Sequence, residues 1–373
     1  MVTTSLAIPP VATYHWLAGL ARRRQLLADA SMAPRGVQHP LEPPLPRSLQ
    51  VEVTAACNLR CRMCLVRYRP PINRVTGSMG LDAFRQLLDE MPDVDDVTLQ
   101  GLGEPLLAPD FFRMVEYATD RGIRTGFNTN GTFLTADASE RLVRAGVDWL
   151  HVSLDGATKQ TYESIRDGSD FGLVTRNIRG LVGAKRRLHA DRPTVQIVFV
   201  AMRRNLRELP DLVGLASEWG VDSVWVQNLS HSFGDTDPSG SYMEIRRFAE
   251  REALWQGEHA RAEAVFDEAR RLAEREGVDI RLPRLREPES PAPLPAGVGC
   301  HWPFEGAYVT HDGKVQPCCM VMGADRAVLG NLEEAGFEEV WKSEPYEEFR
   351  EGLRPGSDPP EVCKGCSLYR RVF

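Results

Sequence analysis

Apolar and polar residues alternate in short stretches along the middle of the chain, and longer stretches with helical spacing separate them. Leu49 to Thr54 is typical of the short stretches, because every second residue is apolar. The same signal predicts six strands: Leu49–Thr54, Asp96–Gln100, Arg124–Asn128, Trp149–Leu154, Val195–Val200 and Ser223–Val226. Helical spacing predicts helices between them: Leu81–Glu90, Asp110–Arg121, Ala136–Ala145, Val174–His189 and Leu206–Trp219.

Strands that alternate with helices of this length predict βαβ units, which build a parallel sheet. The predicted fold class is therefore α/β. The number of strand–helix units falls short of the eight that close a barrel of about 250 residues.

The sequence on either side of this region predicts three further parts. Residues 1–47 form a lead-in, with an amphipathic helix between Ala12 and Ala33 and then a proline-rich linker. Residues 236–296 form a connector in which Ser241 to Gly277 is charged and helical, with one solvated face, and a stiff proline-rich spacer follows. The predicted domains are 1–47, 48–235, 236–296 and 297–373.

The composition is that of a globular protein, and it narrows the choice of partners. Hydrophobic residues make up 42% and charged residues 26% of the 373 residues, which is ordinary. The net charge of −7 provides no basic footprint, so we expect no nucleic-acid partner. The chain has no apolar run of about eighteen residues, so no membrane span is predicted. Arg22, Arg23 and Arg24 follow the first apolar patch instead of preceding it, unlike the charges of a signal peptide.

Three cysteines follow the first predicted strand in the pattern C-x3-C-x2-C: Cys57, Cys61 and Cys64. Clustered cysteines indicate metal binding in a reducing cytoplasm more than disulfides. Three thiolates on one loop can hold three corners of an iron–sulfur cube, which usually has four cysteine ligands. The fourth iron would be open to a substrate or cosubstrate. On spacing alone, a zinc site or three unrelated thiols remain alternatives.

The motif Gly101-Leu102-Gly103-Glu104-Pro105 follows the second predicted strand. With the cysteine loop, it resembles the radical S-adenosylmethionine (SAM) enzymes, in which the motif is Gly-Gly-Glu-Pro; here Leu102 replaces the second glycine. The resemblance implies that SAM chelates the open iron of a [4Fe–4S] cluster. It also implies that Gly101 and Gly103 allow close approach to SAM, and that Glu104 accepts a hydrogen bond from its ammonium group.

The same resemblance implies an architecture for residues 48–235. It is an open, partial (β/α)6 barrel of the TIM type, with the site at the carboxyl ends of the strands. Asn130, in the turn after the third strand, would shape the floor of this site. A purely structural turn is the alternative.

Later strands contribute further positions that match the family. By resemblance, Ser153 reaches the ribose or carboxylate of SAM, with Asp155 on the same face of its strand, and Val200 packs against the adenine. Arg166 matches an arginine that pairs with the SAM carboxylate, a role that suits its planar fork. The alternative for Arg166 is a surface ion pair with Asp167 or Glu163.

The last predicted domain combines a hairpin signal at Asp312-Gly313 with the other five cysteines: Cys300, Cys318, Cys319, Cys363 and Cys366. This arrangement resembles the Twitch subdomain, the shortened form of the SPASM extension. It implies a small α+β domain with one auxiliary [4Fe–4S] cluster on Cys300, Cys318, Cys363 and Cys366. Such a closed site suits electron transfer. A four-cysteine zinc knuckle is the alternative.

Cys319 is left over when these ligands are assigned. The simplest expectation is a small packed residue. The alternatives are a hydrogen-atom donor, which would make Cys319 catalytic, or a replacement cluster ligand.

The resemblance implies that a reduced cluster cleaves SAM to a 5′-deoxyadenosyl radical, which takes a hydrogen atom from the substrate. The leading hypothesis is a radical SAM oxidoreductase that oxidises a small polar metabolite, such as an aminocyclitol or sugar carbinol, with the auxiliary cluster as electron acceptor. A flavodoxin or ferredoxin would supply electrons. The alternatives are a redox-neutral epimerase or dehydratase, a peptide-modifying maturase, and a non-enzymatic iron–sulfur or zinc scaffold.

Overall fold

The computed structural model of the chain describes residues 42–68, 76–229, 240, 242–254, 258–283, 285, 300–321, 326–354, 356–366 and 369. The helix expected between Ala12 and Ala33 lies outside these residues. So do most of the proline-rich spacer and the positions of the two later domain boundaries.

One ten-stranded sheet runs through the described residues, in the order β10-β9-β8-β1-β2-β3-β4-β5-β6-β7. Its strands are β1 (Ser48–Val51), β2 (Asp96–Leu99), β3 (Arg124–Thr129), β4 (Trp149–Ser153), β5 (Thr194–Ala201), β6 (Ser223–Asn228), β7 (Asp279–Arg281), β8 (Gly306–Val309), β9 (Lys314–Gln316) and β10 (Gly330–Asn331). Every neighbouring pair from β8 to β7 is parallel. The pairs β8-β9 and β9-β10 are antiparallel.

Helices connect the parallel strands, as the alternating pattern predicts. They are α1 (Leu65–Tyr68), α2 (Leu81–Asp89), α3 (Phe111–Asp120), α4 (Ala136–Arg144), α5 (Lys159–Ile165), α6 (Phe171–Arg187), α7 (Leu209–Trp219), α8 (Met243–Glu252), α9 (His259–Glu276), α10 (Trp302–Glu305), α11 (Phe337–Trp341), α12 (Glu344–Glu351) and α13 (Glu361–Lys364). Short 3-10 turns span Pro105–Leu107 and Leu206–Glu208. Within the described residues, none of the helices has the length and apolar character needed to cross a membrane.

Local chemistry sets where these helices begin and end. The Thr135 hydroxyl accepts a hydrogen bond from the Ala138 amide and so caps the start of α4. α7 ends at Gly220, whose φ of 74° is left-handed and therefore favours glycine. The apolar residues of α2, including Phe84 and Leu88, form its buried face.

The predicted α/β class is confirmed, and each strand and helix predicted between residues 48 and 235 overlaps an observed one. Several elements were not predicted, among them α5 and β7. α5 is a short helix between β4 and α6, and β7 adds three residues to the sheet beyond β6. The connector also packs on the barrel, because α9 contacts α7 and buries Phe266.

The two faces of the sheet differ in character. Leu150 and Val152 of β4 are fully buried in the main apolar core with the helices. The intervening residues Trp149, His151 and Ser153 are only partly buried. A closed barrel fills its interior with branched aliphatic side chains. Here the inner face is instead polar, aromatic and partly open.

The region from β8 onwards joins this sheet directly. Ser48 to Val51 of β1 pair in register with Gly306 to Val309 of β8, so β1 is hydrogen-bonded along both edges. The hairpin predicted at Asp312-Gly313 is present, because Gly313 turns with a φ of 80° and β9 follows antiparallel to β8. The cysteines of the last domain are thereby carried beside the first strand.

A buried arginine holds the C-terminal helices together. Arg350 of α12 is fully buried and stacks on the rings of Trp341 and Tyr346, at 4.2 and 4.3 Å from their centroids. Its Nε donates to the carbonyl of Pro303, and Trp341 Nε1 donates to the carbonyl of Pro44. Helices α10 and α12 and the chain entering β1 therefore share one packed unit.

Candidate active site

The loop that carries Cys57, Cys61 and Cys64 leaves the carboxyl end of β1 and is fixed by backbone hydrogen bonds. The Arg60 amide donates to the carbonyl of Asp167, and the Arg62 amide donates to the carbonyl of Ile165, each at 2.9 Å. The loop therefore lies against the segment that follows α5, at the edge of the sheet where the parallel strands end.

None of the three thiols forms a disulfide, and Cys61 is buried whereas Cys57 and Cys64 are partly exposed. Burial raises the pKa of Cys61 to about 12, and also raises that of Cys57. Cys64 adds to the rise in the pKa of Cys57, and Cys64 and Cys57 add to the rise in the pKa of Cys61, so the three thiols lie within electrostatic reach of one another. Thiolates held in such surroundings need a positive partner, which a metal cluster supplies.

The Gly101–Glu104 loop packs against the start of the cysteine loop. A Cβ on Gly103 would lie 2.2 Å from the carbonyl oxygen of Thr54, so only glycine fits. The Glu104 amide donates to the carbonyl of Ala56 at 2.8 Å. The motif is therefore seated directly beside the cysteine loop.

The Glu104 side chain is buried and ties this loop to the end of β3. Its carboxylate accepts from Thr129 Oγ1 and from the Asn130 amide, both at 2.7 Å, and from the Leu106 amide. Burial raises the pKa of Glu104 to about 7, although these hydrogen bonds oppose the rise. Carboxylate oxygens can accept further bonds, so an ammonium group can still be recognised.

Asn130 links the turn after β3 to the cysteine loop. Its Nδ2 donates to Asn58 Oδ1 at 2.9 Å and lies 4.0 Å from Cys57 Sγ. The next residue, Gly131, has a φ of 79°. The turn thus has a structural role and also contacts the proposed cluster ligands.

Arg166 is buried below the cysteine loop, and the surface ion pair that was its alternative is wrong. Its Nη2 lies 2.7 Å from Asp155 Oδ2, and its Nη1 lies 3.8 Å from Cys61 Sγ. Asp167 pairs instead with Arg67, and Glu163 with Lys159. Although burial lowers the pKa of Arg166, Asp155 and Cys61 outweigh it, and the net shift is upward.

The Asp155–Arg166 ion pair is supported by a backbone hydrogen bond to Asp155, and one donor of Arg166 has no partner in the described residues. Asp155 is fully buried, and its Oδ1 accepts from the Val200 amide at 2.7 Å. Burial raises the pKa of Asp155, and Arg166 opposes that rise. Among the described residues, Arg166 Nε is buried without a hydrogen-bond partner. It remains able to donate to a ligand.

The inner face of the sheet forms a polar row beneath this site. Asn128, His151 and Gln196 are paired across β3, β4 and β5 and are partly buried. His151 lies between the rings of Trp149 and Trp225, at centroid distances of 4.3 and 5.4 Å. Burial lowers the pKa of His151 to about 4, so it is neutral at pH 7.

Asn128 Oδ1 is buried in this row without a hydrogen-bond partner in the described part of the chain. Ser153 and Val200, both partly buried, lie nearer the carboxyl ends of β4 and β5. The row and these two residues form a partly open inner face of the sheet.

A helix of the predicted connector covers the cysteine loop, which the sequence did not indicate. α8 packs through Phe248 on Ile165 and Met202, with Met63 of the loop in the same cluster. Ile245 of the same helix packs with Leu65 and with Leu102 of the Gly101–Glu104 loop. The sequence indicated only a charged connector here, because the few apolar positions of α8 are separated by arginines and glutamates. This apolar cover limits access of water to the loop.

The cysteines of the last domain form a second group. Cys363 and Cys366 lie on and just after α13, and the Cys366 amide donates to the carbonyl of Cys363 at 3.0 Å. Burial raises the pKa of Cys300 to about 11, and Cys366 adds to the rise. Burial also raises the pKa of Cys318, and Cys319, Cys300 and Cys366 add to that rise.

Cys319 belongs to this group instead of standing apart from it. Burial raises its pKa to about 12, with contributions from Cys366 and Cys300. The thiol of Cys319 therefore lies within electrostatic reach of the same cysteines as the thiol of Cys318. Which four bind iron stays a prediction, with Cys318 favoured over Cys319.

The donor sets fit iron–sulfur clusters. In the described residues, no three His, Cys, Asp or Glu side chains are close enough to hold one metal ion. A four-iron cube does not require this, because each thiolate binds a different iron. The first group offers three thiols with a buried cation and a free Arg166 donor beside them, and the second group offers only protein thiols.

Comparison with known proteins agrees with this arrangement. The model of the radical SAM superfamily matches residues 51–213, and the SPASM model, an iron–sulfur cluster-binding domain, matches residues 300–367. An AdoMet-dependent heme synthase from Methanosarcina barkeri is 31% identical over 337 residues, covering 88% of this chain and 90% of that protein.

A second relative and a solved structure are also similar to the chain. A mycofactocin maturase from Mycobacterium ulcerans is 27% identical and covers 89% of this chain and 82% of its own length. The crystal structure of SuiB from Streptococcus suis bound to SAM has a TM-score of 0.61 at 18% identity, covering 87% of this chain and 71% of that one. That likeness concerns the fold.

The Asp155–Arg166 pair generates a stability prediction. Asp155→Asn leaves a buried guanidinium uncompensated, and breaking such a pair costs about 3–5 kcal/mol. We expect a clearly lower melting temperature for the reconstituted protein. Glu338→Gln removes an exposed pair with Lys342 and should cost no more than about 1 kcal/mol. Equal melting temperatures for the two variants would contradict the role of the buried pair.

Proposed function

The chain belongs to the radical SAM superfamily and carries a SPASM iron–sulfur domain, and we propose that it oxidises a small polar molecule with the auxiliary cluster as electron acceptor. SAM and [4Fe–4S] clusters are its cofactors. The zinc and non-enzymatic alternatives are set aside, because one matching model is that of the radical SAM superfamily and the other is that of an iron–sulfur cluster-binding domain. We place the enzyme in the cytoplasm, where its clustered thiols stay reduced.

One observation carries the proposal. β8 pairs directly with β1, so the loop of Cys57 and the hairpin that leads to Cys318 leave neighbouring parallel strands. Both cysteine groups are thus attached to one rigid sheet. An electron acceptor attached to the same sheet as the radical site suits removal of a second electron from substrate, and a redox-neutral reaction does not need one.

The residues have separate roles in this proposal. Cys57, Cys61 and Cys64 hold the SAM-binding cluster, which supplies the reductive cleavage of SAM when bound. Arg166 provides a buried positive charge beside Cys61 and can donate to the SAM carboxylate through its free Nε. The Glu104 carboxylate accepts a hydrogen bond from the ammonium group of SAM, while Ser153 and Val200 line the position of the nucleoside. α8 excludes water from the loop.

The inner face supports the choice of a small polar substrate. Neutral His151, Gln196 and the unpartnered oxygen of Asn128 offer hydrogen bonds without net charge. The carbinol of an aminocyclitol or sugar is the substrate class that the sequence suggested. The heme synthase relative, which matches over most of both chains, also supports a small-molecule substrate by its name.

Modification of a peptide is the second candidate. A specific observation favours it, since the mycofactocin maturase relative matches along 89% of this chain. The same two-cluster arrangement would then serve oxidation of a peptide side chain.

Iron content and SAM cleavage test the cluster assignment. Reconstituted wild-type protein should hold about eight irons, from two four-iron clusters, and release 5′-deoxyadenosine under a strong reductant. Cys57→Ala should lose this release, because two thiolates cannot keep the catalytic cluster. Cys363→Ala should lose about four irons and keep a spectroscopically intact SAM cluster. Release by Cys57→Ala, or unchanged iron in Cys363→Ala, would contradict the assignment.

The adjacent cysteines of the hairpin give a matched pair of variants. We expect Cys318→Ala to lose the auxiliary iron, since it removes one of four ligands. Cys319→Ala should keep the iron, because Cys300, Cys318, Cys363 and Cys366 remain. Iron content and Mössbauer spectra distinguish the two. The opposite pattern would make Cys319 the ligand.

Fractionated extract of the source organism tests the substrate class. The small-molecule fraction should raise 5′-deoxyadenosine release above the substrate-free rate, and the peptide and protein fraction should not. Cys57→Ala with the same fractions is the control. Stimulation confined to the peptide fraction would favour the second candidate.

A further inference from the structure

Glu52 is a buried carboxylate that joins two distant parts of the chain. It is 4% exposed and lies just after β1, before the cysteine loop. Its Oε2 accepts from the Leu102 amide at 2.8 Å and from Tyr308 Oη at 3.1 Å. Its Oε1 lies 2.9 Å from His311 Nδ1. A carboxylate only accepts hydrogen bonds, so Nδ1 carries the proton.

The donors to Glu52 come from different functional parts. Leu102 lies inside the Gly101–Glu104 loop, which the proposed function assigns to SAM. Tyr308 is on β8, and His311 is in the turn between β8 and β9. β9 leads directly to Cys318. One carboxylate therefore connects the SAM loop to the hairpin of the auxiliary-cluster domain.

Two glycines make room for this connection. A Cβ on Gly101 would lie 2.2 Å from Glu52 Cγ, and a Cβ on Gly77 would lie 2.9 Å from His311 Cδ2. Real side chains do not approach so closely, so both positions require glycine. The Gly77 carbonyl in turn accepts from the Ala55 amide, two residues before the cysteine loop. The bridge is thus packed tightly between the SAM loop, the start of the cysteine loop and the turn that joins β8 to β9.

We propose that Tyr308 and His311 are positioning residues for SAM, because they hold the Glu52 carboxylate that fixes the Leu102 amide. A buried carboxylate that loses a donor moves towards its remaining partners or admits water. The SAM loop would then lose its fixed backbone position. The auxiliary-cluster domain accordingly sets the affinity for SAM. Linkage makes the effect reciprocal, so bound SAM also stabilises the β8–β9 hairpin.

SAM affinity tests this inference, which rests on the proposed assignment of the SAM loop but not on the substrate. Reconstituted Tyr308→Phe and His311→Ala should each bind SAM at least about fivefold more weakly, the lower range of coupling between sites. Equilibrium dialysis with SAM under anaerobic conditions measures this. Iron content should stay at the wild-type value, because neither residue is a thiol ligand.

Two further variants separate positioning from loss of folding. His311→Asn keeps an amide donor where Nδ1 lies and should recover most of the affinity. Lys314→Ala removes only an exposed pair with Asp312 in the same hairpin and should bind SAM as the wild type does. Tyr308→Phe deletes one hydroxyl and keeps the ring, so it remains informative if His311→Ala does not fold.

Hydrogen exchange provides the reciprocal readout. SAM should slow exchange in residues 306–316 of the wild type and of Lys314→Ala, and this protection should be lost in the Tyr308→Phe/His311→Ala double variant. Unchanged SAM affinity in Tyr308→Phe and His311→Ala, with full iron, would overturn the inference. Wild-type protein that binds no SAM would instead overturn the proposed function, so the two failures are distinct.

Discussion

The backbone pairing of β1 on both of its edges is the interaction on which the rest of the structure depends. This short strand bonds to β2 on one side and to β8 on the other. The chain that leaves it carries Glu52 and then the first cysteine group. Sequence segments separated by some 250 positions are therefore aligned by one register, in which Ser48 faces Gly306.

Charged side chains are buried near that strand, whereas a purely structural core contains few of them. Asp155, Arg166, Glu104 and Glu52 are all below one tenth exposed. Each is costly to bury alone, and each is supported by specific donors or by an opposite charge. They are concentrated at the carboxyl edge of the sheet, whereas the core beneath the helices is aliphatic. This concentration is what an electrostatically demanding site requires.

The sequence predicted the parts that depend on local pattern. Strands such as Trp149–Ser153 and helices such as Phe111–Asp120 carry their own periodicity, so their bounds were found within a few residues. The cysteine loop and the Gly101–Glu104 motif could be recognised from spacing.

What depends on distant pairing could not be predicted. β7 is three residues long and has no periodicity of its own. The parallel pairing of β8 with β1, and the bonds of Glu52 to Tyr308 and His311, join residues more than 250 positions apart. A charged residue at Glu52 within an alternating strand was the one available signal. The buried partner of Arg166 was missed for the same reason, since Asp155 was placed only by its face of the strand.

The polar inner face of the sheet has an evolutionary consequence. Asn128, His151 and Gln196 contribute little to the apolar core, which lies on the other side of the strands. Surface substitutions away from packed features usually alter stability by only about 0.5 kcal/mol, and these partly open positions are nearer to that limit than the apolar core is. The fold can therefore exchange these side chains freely while its clusters and helices stay intact. Such a scaffold can keep the residues of its chemistry while the residues that contact the substrate change. Its relatives can therefore diverge in substrate without passing through unstable intermediates.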